Sequence, residues 1–235
     1  VTDGVRNTLI GALAGDALET GDNNVALGFN ALSAEVEGDR SVAIGVDALA
    51  SQTNASDTDV YNVAVGFQAG ATINSGVQNT LIGGAAGDAL AGGSYNVAVG
   101  YEALSSEDGH GRNVAVGYLA LQDQNAGADA YNTAVGFEAG KNITDGNQNT
   151  FVGGSAGDSL QTGDQNVGVG YLALRNELGG SYNTAIGREA LKTQQGASHN
   201  TAVGRTAGML ISTGANNTIV GSASGDAMNT ADSNT

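Results

Sequence analysis

The 235-residue sequence contains no cysteine, no proline and no tryptophan. Without cysteine the chain forms neither disulfides nor thiolate metal sites, which leaves its redox compartment open. The absence of proline suits a sheet in which every strand donates hydrogen bonds to its neighbours. No apolar run approaches the roughly 18 residues that span a bilayer, so we expect no membrane insertion by this segment.

Positive charge is scarce: eight Lys and Arg residues stand against 24 Asp and Glu residues, which gives a formal net charge of -16. Such a surface repels phosphate groups, so the composition excludes a general nucleic-acid binder and argues against docking on an anionic membrane. The same charge keeps a large surface soluble and opposes side-to-side aggregation.

Glycine is abundant, with 38 residues, and it belongs to a repeat that runs through the whole chain. Each repeat unit, here called a coil, opens with Asn or Ser at position 1. Coils 1 to 13 begin at Asn7, Asn24, Ser41, Asn62, Asn79, Asn96, Asn113, Asn132, Asn149, Asn166, Asn183, Asn200 and Asn217. The spacing is 17 residues, except that coil 3 has 21 and coil 7 has 19. A regular period of this kind predicts stacked structural units.

Three further positions of the coil hardly vary. Position 4 is always a branched aliphatic residue, position 5 is always Gly, and position 8 is Ala except at Ser224. Alternation such as Val63-Ala64-Val65 predicts a short strand, and the Gly predicts a turn or a close backbone approach.

The Asn at position 1 is predicted to form a ladder in which each side chain bonds the next one along the stack. The alternative is that Asn is simply a favoured turn residue. The residues that we assign to the ladder and the turn are Asn24, Gly28, Asn62, Gly66, Asn96, Gly100, Asn113, Gly117, Asn132 and Gly136.

A 17-residue coil is too short for two helices and a turn, and it suits about two strands of about five residues each. Thirteen coils stacked at about 4.8 Å give a rod roughly 60 Å long. We therefore predict an all-β fold, a parallel β-solenoid, with residues 1–235 as a single repetitive segment. The sequence begins and ends inside coils without a polar capping repeat, so we expect it to be part of a longer fibre.

Certain positions exchange large and small residues between coils, with a period of four coils. Position 3 is large in four coils whose position 6 is small, as in Leu81 with Gly84. Gly at position 9 accompanies an apolar residue at position 12, whereas Leu at 9 accompanies Glu or Gln, as in Leu32 with Glu35. Because interiors conserve volume, we predict that positions 3 and 6 share one space and that 9 and 12 share another.

The extra residues of coils 3 and 7 are predicted to be surface loops, near 51–61 and 122–131, because a stacked coil can only bulge outward. Binding residues usually lie on loops held by a rigid scaffold. The candidate receptor contacts are Asn54, Asp57, Asp59, Asp123, Asn125 and Asp129. Two alternatives stay open: the inserts drift without a role, or Asp57 and Asp59 bind Ca²⁺ together with main-chain oxygens.

One chain offers little apolar surface for its length. Ordering a coil costs about 25 kcal/mol, and offsetting this cost by burial takes roughly 1,000 Å² of apolar area. Alternation also leaves apolar residues on both faces of a strand, with Val97 and Val99 on one face and Ala98 on the other. Since both faces need cover, we predict a symmetric homo-oligomer.

Runs such as NNVALGFNAL, RSVAIGVDAL, YNVAVGFQAG and YNTAVGFEAG resemble the head repeats of trimeric autotransporter adhesins, and very similar repeats occur in bacteriophage tail fibres. The resemblance covers Asn7 to Thr235. It implies a left-handed parallel β-roll in which three chains pack around a common axis as a homotrimer. The adhesin heads use shorter coils, and no recognisable coiled-coil stalk or membrane anchor lies within this sequence, so bacterial and viral origins both stay open.

Little in the sequence points to catalysis. Residues 153–157 match the G-x-S-x-G pattern of a hydrolase nucleophile at Ser155, but sister coils read GALAG, GGAAG and GSASG in the same frame. His110 and His199 have no repeated partner. Asp residues at position 10 lie four coils apart, too far to share a metal. We predict no enzyme activity, no catalytic or metal-binding residue and no cofactor.

The predicted function is that of a structural or adhesive fibre segment, in a bacterial surface adhesin or a phage tail fibre, which presents its loops for host or surface attachment. The partners would be further copies of the chain and a cell-surface glycan or protein receptor, in an extracellular, cell-surface or virion location. The alternatives are a passive spacer and an ice-binding solenoid, which needs a regular Thr array. Position 2 mixes Thr80 and Thr133 with Val97 and Val114, which disfavours ice binding.

Overall fold

The computed structural model describes residues 3–54, 58–226 and 228–235. The chain is an all-β parallel β-solenoid of about thirteen coils, and it divides into two compact units, Val1–Asn113 and Val114–Thr235. Each coil contributes one strand, at positions 2 to 4, and no helix occurs among the described residues.

The strands of each unit pair in sequence order, parallel and in the frame of the repeat. The first unit contains β1 (Thr8–Ile10), β2 (Val25–Leu27), β3 (Val42–Ile44), β4 (Val63–Val65), β5 (Thr80–Ile82) and β6 (Val97–Val99). The second unit contains β7 (Val114–Val116), β8 (Thr133–Val135), β9 (Thr150–Val152), β10 (Val167–Val169), β11 (Thr184–Ile186), β12 (Thr201–Val203) and β13 (Thr218–Val220). Val42 lies opposite Val63, and Val114 opposite Thr133, so the extra residues of coils 3 and 7 lie outside the ladder, as predicted.

The prediction of two strands of about five residues per coil is wrong, because each coil has a single three-residue strand. Three columns of the repeat adopt left-handed φ angles and interrupt the extended chain. In coil 2 they are Asn30 at position 7 (60°), Leu32 at position 9 (52°) and Arg40 at position 17 (59°). This region costs a residue such as Leu roughly 1–2 kcal/mol. Leu32 is fully buried, and its packing offsets the strain.

The Gly at position 5 follows each strand and lets adjacent coils approach closely. At Gly83 φ is 140°, and a Cβ would lie 2.2 Å from the carbonyl oxygen of Gly100 in the next coil. No side chain fits there, so the predicted close approach is confirmed. Equivalent approaches occur at Gly28, Gly66, Gly117 and Gly136, and Gly100 has the same φ angle, 144°.

The Asn ladder at position 1 is confirmed, with backbone groups as its main partners. The backbone N–H of Asn96 donates to Oδ1 of Asn79 (2.9 Å), and Oδ1 of Asn96 accepts the backbone N–H of Asn113 (3.0 Å). The side-chain amide of Asn79 donates to the carbonyl oxygen of Gly93 in its own coil (2.8 Å). The Asn therefore also closes its own turn, so both readings of this residue hold. The ladder positions Asn24, Asn62, Asn96, Asn113 and Asn132 are buried.

A second ladder, not predicted from the sequence, runs in the opposite direction at position 16. The backbone N–H of Asn147 donates to Oδ1 of Asp164 in the following coil (2.8 Å), and that of Asp164 donates to Oγ of Ser181 (3.0 Å). The recurrence of Asp and Ser at this position is the sequence signal that could have revealed it. In coil 9, for example, the two ladders together form hydrogen bonds to both neighbouring coils.

Position 3 faces the core and position 6 faces outward, so the predicted shared space between them is wrong. Leu81 is fully buried, whereas Phe67 at position 6 is 58% exposed. A large position 3 is instead accommodated by Gly at position 9. A Cβ on Gly87 would lie 2.8 Å from Cδ2 of Leu81, and one on Gly70 in the preceding coil 2.7 Å from Cδ1. The exchange between positions 9 and 12 is confirmed, since the Cβ on Gly87 would also lie 2.7 Å from Cδ1 of Leu90.

Candidate functional site

A fully buried carboxylate, Glu35, lies at position 12 of coil 2. Its Oε1 accepts the backbone N–H groups of Val36 (3.0 Å), Glu37 (3.3 Å) and Gly38 (2.8 Å), three successive residues of the turn. Successive N–H groups form a nest for an oxygen anion. The turn therefore supplies the donors that a carboxylate needs when it is removed from water.

The next coil completes this network with an amide. Gln52, also fully buried, donates from Nε2 to Oε2 of Glu35 (2.8 Å). Its Oε1 accepts the side-chain N–H of Asn62 in coil 4 (2.9 Å), which links the network to the Asn ladder. The backbone N–H of Asn54 donates to Oε1 of Glu35 (3.2 Å). Glu35 thus ties together residues of two successive coils.

The second unit contains the same arrangement. Oε1 of Glu177 accepts the three backbone N–H groups of residues 178–180, at 2.9, 3.1 and 2.7 Å. Gln194 donates from Nε2 to Oε2 of Glu177 (2.7 Å), and the backbone N–H of Gly196 donates to Oε1 (2.6 Å). The sequence shows that Glu or Gln at position 12 occurs together with Leu at position 9, but this pattern did not predict that the carboxylate is buried.

The residues predicted to contact a receptor in coil 3 lie in different environments. Asn54 is only 7% exposed, because its amide donates to Oε2 of Glu35 (3.4 Å) as part of the Glu35 network. Its role as a receptor contact stays a prediction. Asp59 is exposed and forms an ion pair with Arg40. Asp57 lies outside the described residues, so the alternative Ca²⁺ site with Asp59 stays a prediction.

In coil 7 the predicted contacts lie near residues 122–131, and the start of this segment is hydrogen-bonded to the next coil. Asp123 and Asn125 are exposed, and Asp129 is half-buried. The backbone N–H of Asp123 donates to the carbonyl oxygen of Lys141 (2.9 Å), and that of Asn125 to Thr144 (3.1 Å). The exposed candidates among the described residues are therefore Asp59, Asp123 and Asn125.

The outer face of each sheet is apolar and exposed. Residues at positions 2, 4 and 6 are half-buried or exposed in the described coils, although position 6 is Gly in coils 5 and 9 and Arg in coils 11 and 12. Tyr118 and Phe137, both at position 6, stack with ring centroids 5.2 Å apart, yet 45% and 55% of their surfaces remain exposed. The first unit exposes Phe29, Phe67 and Tyr101 at the same position. Contiguous apolar surface of this kind marks interaction sites.

Exposed aromatic and cationic side chains also line position 17. Arg40 lies 5.7 Å from the ring centroid of Tyr61, and Arg112 lies 5.3 Å from that of Tyr95. Cation–π contacts at exposed sites contribute about 0.5–1 kcal/mol each. At this position Arg and Tyr of neighbouring coils therefore contact each other at the surface.

Two carboxyl groups at position 10 have altered acidities. Burial raises the pKa of Asp88, and repulsion from Glu102 adds to the increase, while backbone hydrogen bonds oppose it. Oδ1 of Asp88 has no hydrogen-bond partner. Burial also raises the pKa of Asp158, but Arg175, 3.5 Å from its Oδ2, acts in the opposite direction. Burial without a cation favours the neutral carboxylic acid.

One group among the described residues offers three metal-ligating side chains: Glu107, Asp108 and His110, whose ligand atoms lie within 4.8 Å of one another. Glu107 occupies the same position as Glu35 and Glu177, and it accepts the backbone N–H of His110 (3.1 Å). We therefore assign the Glu107 carboxylate to hydrogen bonding within its own turn. Asp108 is exposed and His110 is half-buried, so the group forms no enclosed coordination shell.

The sequence features that suggested catalytic chemistry belong to the repeat. Ser155 has a left-handed φ of 49°, as position 7 has in the other coils, and its backbone N–H donates to the carbonyl oxygen of Phe137 (2.8 Å). His199 is exposed and packs edge-on against Tyr182, with ring centroids 4.9 Å apart. That the chain is not an enzyme stays a prediction.

Comparison with protein-family models, with curated proteins and with solved structures finds no match to this chain. The described part of the chain contains no helix of the length and apolar character that a membrane crossing requires. Any functional assignment therefore rests on the residues and on their geometry.

Proposed function

We propose that the chain is a structural segment of an attachment fibre, in which three copies pack through their outer sheet faces and present the loops of coils 3 and 7 to a receptor. The solenoid is left-handed in this proposal, as the resemblance to adhesin heads and phage fibres implies. The receptor is a cell-surface glycan or protein, and the fibre belongs to a cell surface or a virion.

One observation carries the proposal: the outer sheet face is apolar, regular and uncovered in both units. In a sheet with one solvated face, polar residues normally alternate with the core residues. Here Val, Ile, Phe and Tyr occupy most of the outward positions, with rings such as Phe67 and Phe137 more than half exposed. Such a face needs cover, and a second copy presents the same positions at the same spacing. Repetitive, identical faces favour closed symmetric assemblies.

The charge of the chain supports a fibre for a different reason. The acidic residues lie mainly outside the strands, on turns and loops, while the strands are uncharged. An assembly that buries the outer faces would therefore expose a strongly acidic surface. Like charge on that surface opposes lateral aggregation of the assembled fibres.

Static light scattering of the purified chain at micromolar concentration tests the assembly. We expect a mass near three times the 23.2 kDa of one chain, together with a β-sheet circular dichroism spectrum. A monomeric mass with the same spectrum would contradict the trimer. A dimeric mass would contradict threefold packing.

Shortening both loops to the 17-residue length of the other coils tests their role in attachment. The deletions remove residues 56–59 and Gly127-Ala128, and a glycan array or a cell-binding assay supplies the readout. We expect attachment to be lost while the melting temperature stays within a few degrees, because loops outside the ladder contribute little to stability. Unchanged attachment would identify the segment as a passive spacer.

A further inference from the structure

All length variation in the repeat falls in one type of coil. Position 12 follows a four-coil order of Leu, Glu, Gln and Ile, with Met228 as the one replacement. The Gln coils are coils 3, 7 and 11, and they contain 21, 19 and 17 residues. The other ten coils all contain 17 residues. Each Gln coil directly follows a Glu coil, so the buried pair and the inserts share one place in the repeat.

In coils with an apolar residue at position 12, the turn bonds directly to the turn of the next coil. The backbone N–H groups of Thr144 and Gly146 donate to the carbonyl oxygen of Gln161 (3.0 and 3.2 Å). The N–H of Gln161 donates in turn to Leu178 (2.9 Å). Because one carbonyl serves several N–H groups of its neighbour, the two turns must match in path and length.

In coil 10 the Glu177 carboxylate replaces the carbonyl oxygen of the next coil as the hydrogen-bond acceptor for the turn. The N–H groups of residues 178–180 all donate to its Oε1, so they are satisfied within their own coil. Coil 11 reaches the carboxylate through only two groups, the amide of Gln194 and the N–H of Gly196. In coil 3 the matching groups, Gln52 and the N–H of Asn54, both precede the inserted residues.

We infer that the buried pairs Glu35–Gln52 and Glu177–Gln194 uncouple positions 13 to 15 of the Gln coil from the preceding turn, and that residues 195–197 of coil 11 form a third loop site at its minimal length. Gly196 is exposed with φ 71°, and a Cβ on it would meet nothing within 4 Å. The inference deepens the proposed function, because it adds a third place at which the fibre can present a receptor-binding loop.

Two matched insertions test the inference in the full chain. The four residues Ala-Ser-Asp-Thr, copied from 55–58, are inserted between Gly196 and Ala197 in one variant and between Thr162 and Gly163 in the other. Both insertions fall between positions 14 and 15 of their coils. We expect the first to lower the melting temperature by no more than about 3 °C and the second by at least about 10 °C, because a loop adds little entropy cost whereas coil 9 loses its stacked turn. Equal shifts would overturn the inference.

A substitution at Glu177 tests whether the carboxylate is responsible. Glu177→Leu recreates the apolar position 12 of Leu160, so the turn of coil 10 must then bond to that of coil 11. The insertion after Gly196 should lower the melting temperature further in this background than in the parent chain, and an equal shift would contradict a role for Glu177. If Glu177→Leu does not fold, the two insertions decide alone. Attachment is not measured, so failure of the fibre proposal would leave this result intact.

Discussion

At the scale of single residues, two adjacent glycines in coil 5 lack a side chain for different reasons. Gly83 has φ 140°, and its Cα lies against the backbone of Gly100. At Gly84 a Cβ would lie 3.4 Å from Cδ2 of the Tyr101 ring in the next coil, which is an ordinary contact distance. The first glycine is required by the backbone, whereas the second makes room for an aromatic side chain on the outer face.

Gly83→Ala should therefore destabilise the fold far more than Gly84→Ala. We expect a loss of at least about 3 kcal/mol for the first, from the disfavoured φ angle and the backbone clash together. The second should cost less than about 1 kcal/mol. Urea unfolding followed by circular dichroism measures both, and similar losses would show that position 5 is not constrained by the close approach.

Asp88→Asn should stabilise the chain near neutral pH. The raised pKa of Asp88 means that the folded state binds a proton more tightly than the unfolded state, so the ionised carboxylate opposes folding above that pKa. The expected gain is less than about 1 kcal/mol, because solvent screens a half-exposed group.

The pH dependence distinguishes this effect from a change in packing. The stabilisation by Asp88→Asn should shrink as the pH falls through the folded pKa, and it should vanish below the unfolded value of about 4, where both states are protonated. Asp158→Asn is the matched comparison: the pKa of that carboxyl is also raised, but Arg175 opposes the increase, so we expect a gain in the same direction that is reduced by the loss of the ion pair. A gain that is equal at pH 7 and pH 3 would rule out the electrostatic origin.

At the scale of the coil, the core is shared between position 3 and position 9. Leu81→Ala should cost about 2–5 kcal/mol, because it leaves a cavity at a fully buried site. Adding Gly87→Leu together with Leu90→Gln should restore part of this loss, since Leu104 adopts the same left-handed φ (55°) at position 9 of the next coil and Leu at position 9 accompanies Glu or Gln at position 12. Adding Gly84→Phe instead should restore nothing, because position 6 faces outward. Chemical denaturation of the three variants tests which position fills the cavity.

Much of the coil could be predicted from its sequence. The period, the parallel stacking, the Asn ladder and the Gly approach follow from residues that hardly vary, and all are confirmed. The length of the strand was not predictable, because Leu32 and Asn30 adopt left-handed angles that are typical of neither residue in a strand. The shared space of positions 3 and 6 was inferred from their exchange of large and small residues, but position 3 packs against the Gly at position 9 while position 6 lies on the outer face.

The candidate site was less predictable than the fold. The extra residues lie outside the strand ladder, and their role as receptor loops stays a prediction. Asn54 is buried because it donates to Glu35, and a carboxylate at position 12 gave no reason to expect a fully buried partner. Burial of Glu35 depends on three N–H groups that converge only once the turn is formed. The available sequence signal was Glu at position 12 of one coil followed by Gln at position 12 of the next. Its structural role is evident only from the hydrogen bonds between them.

At the scale of the whole molecule, the proposed assembly depends on the outer face. If three copies pack through that face, Phe137→Asp should abolish the trimer, because it places a charge in the stacked aromatic column. Thr162→Asp, at an exposed turn, should leave the mass and the melting temperature unchanged. Light scattering and thermal unfolding compare the two variants. A trimeric Phe137→Asp chain with the melting temperature of the parent would place the interface elsewhere.

The opposed directions of the two ladders have a consequence for how the chain is made. In coil 9, the Asn149 side-chain oxygen accepts the backbone N–H of Asn166 in coil 10, and the backbone N–H of Asp164 donates to the Ser181 side chain of that same coil 10. Each coil is therefore a template for the one synthesised after it. Since the described strands pair only with their sequence neighbours, folding can advance coil by coil from the amino end while the rest of the chain is still being synthesised.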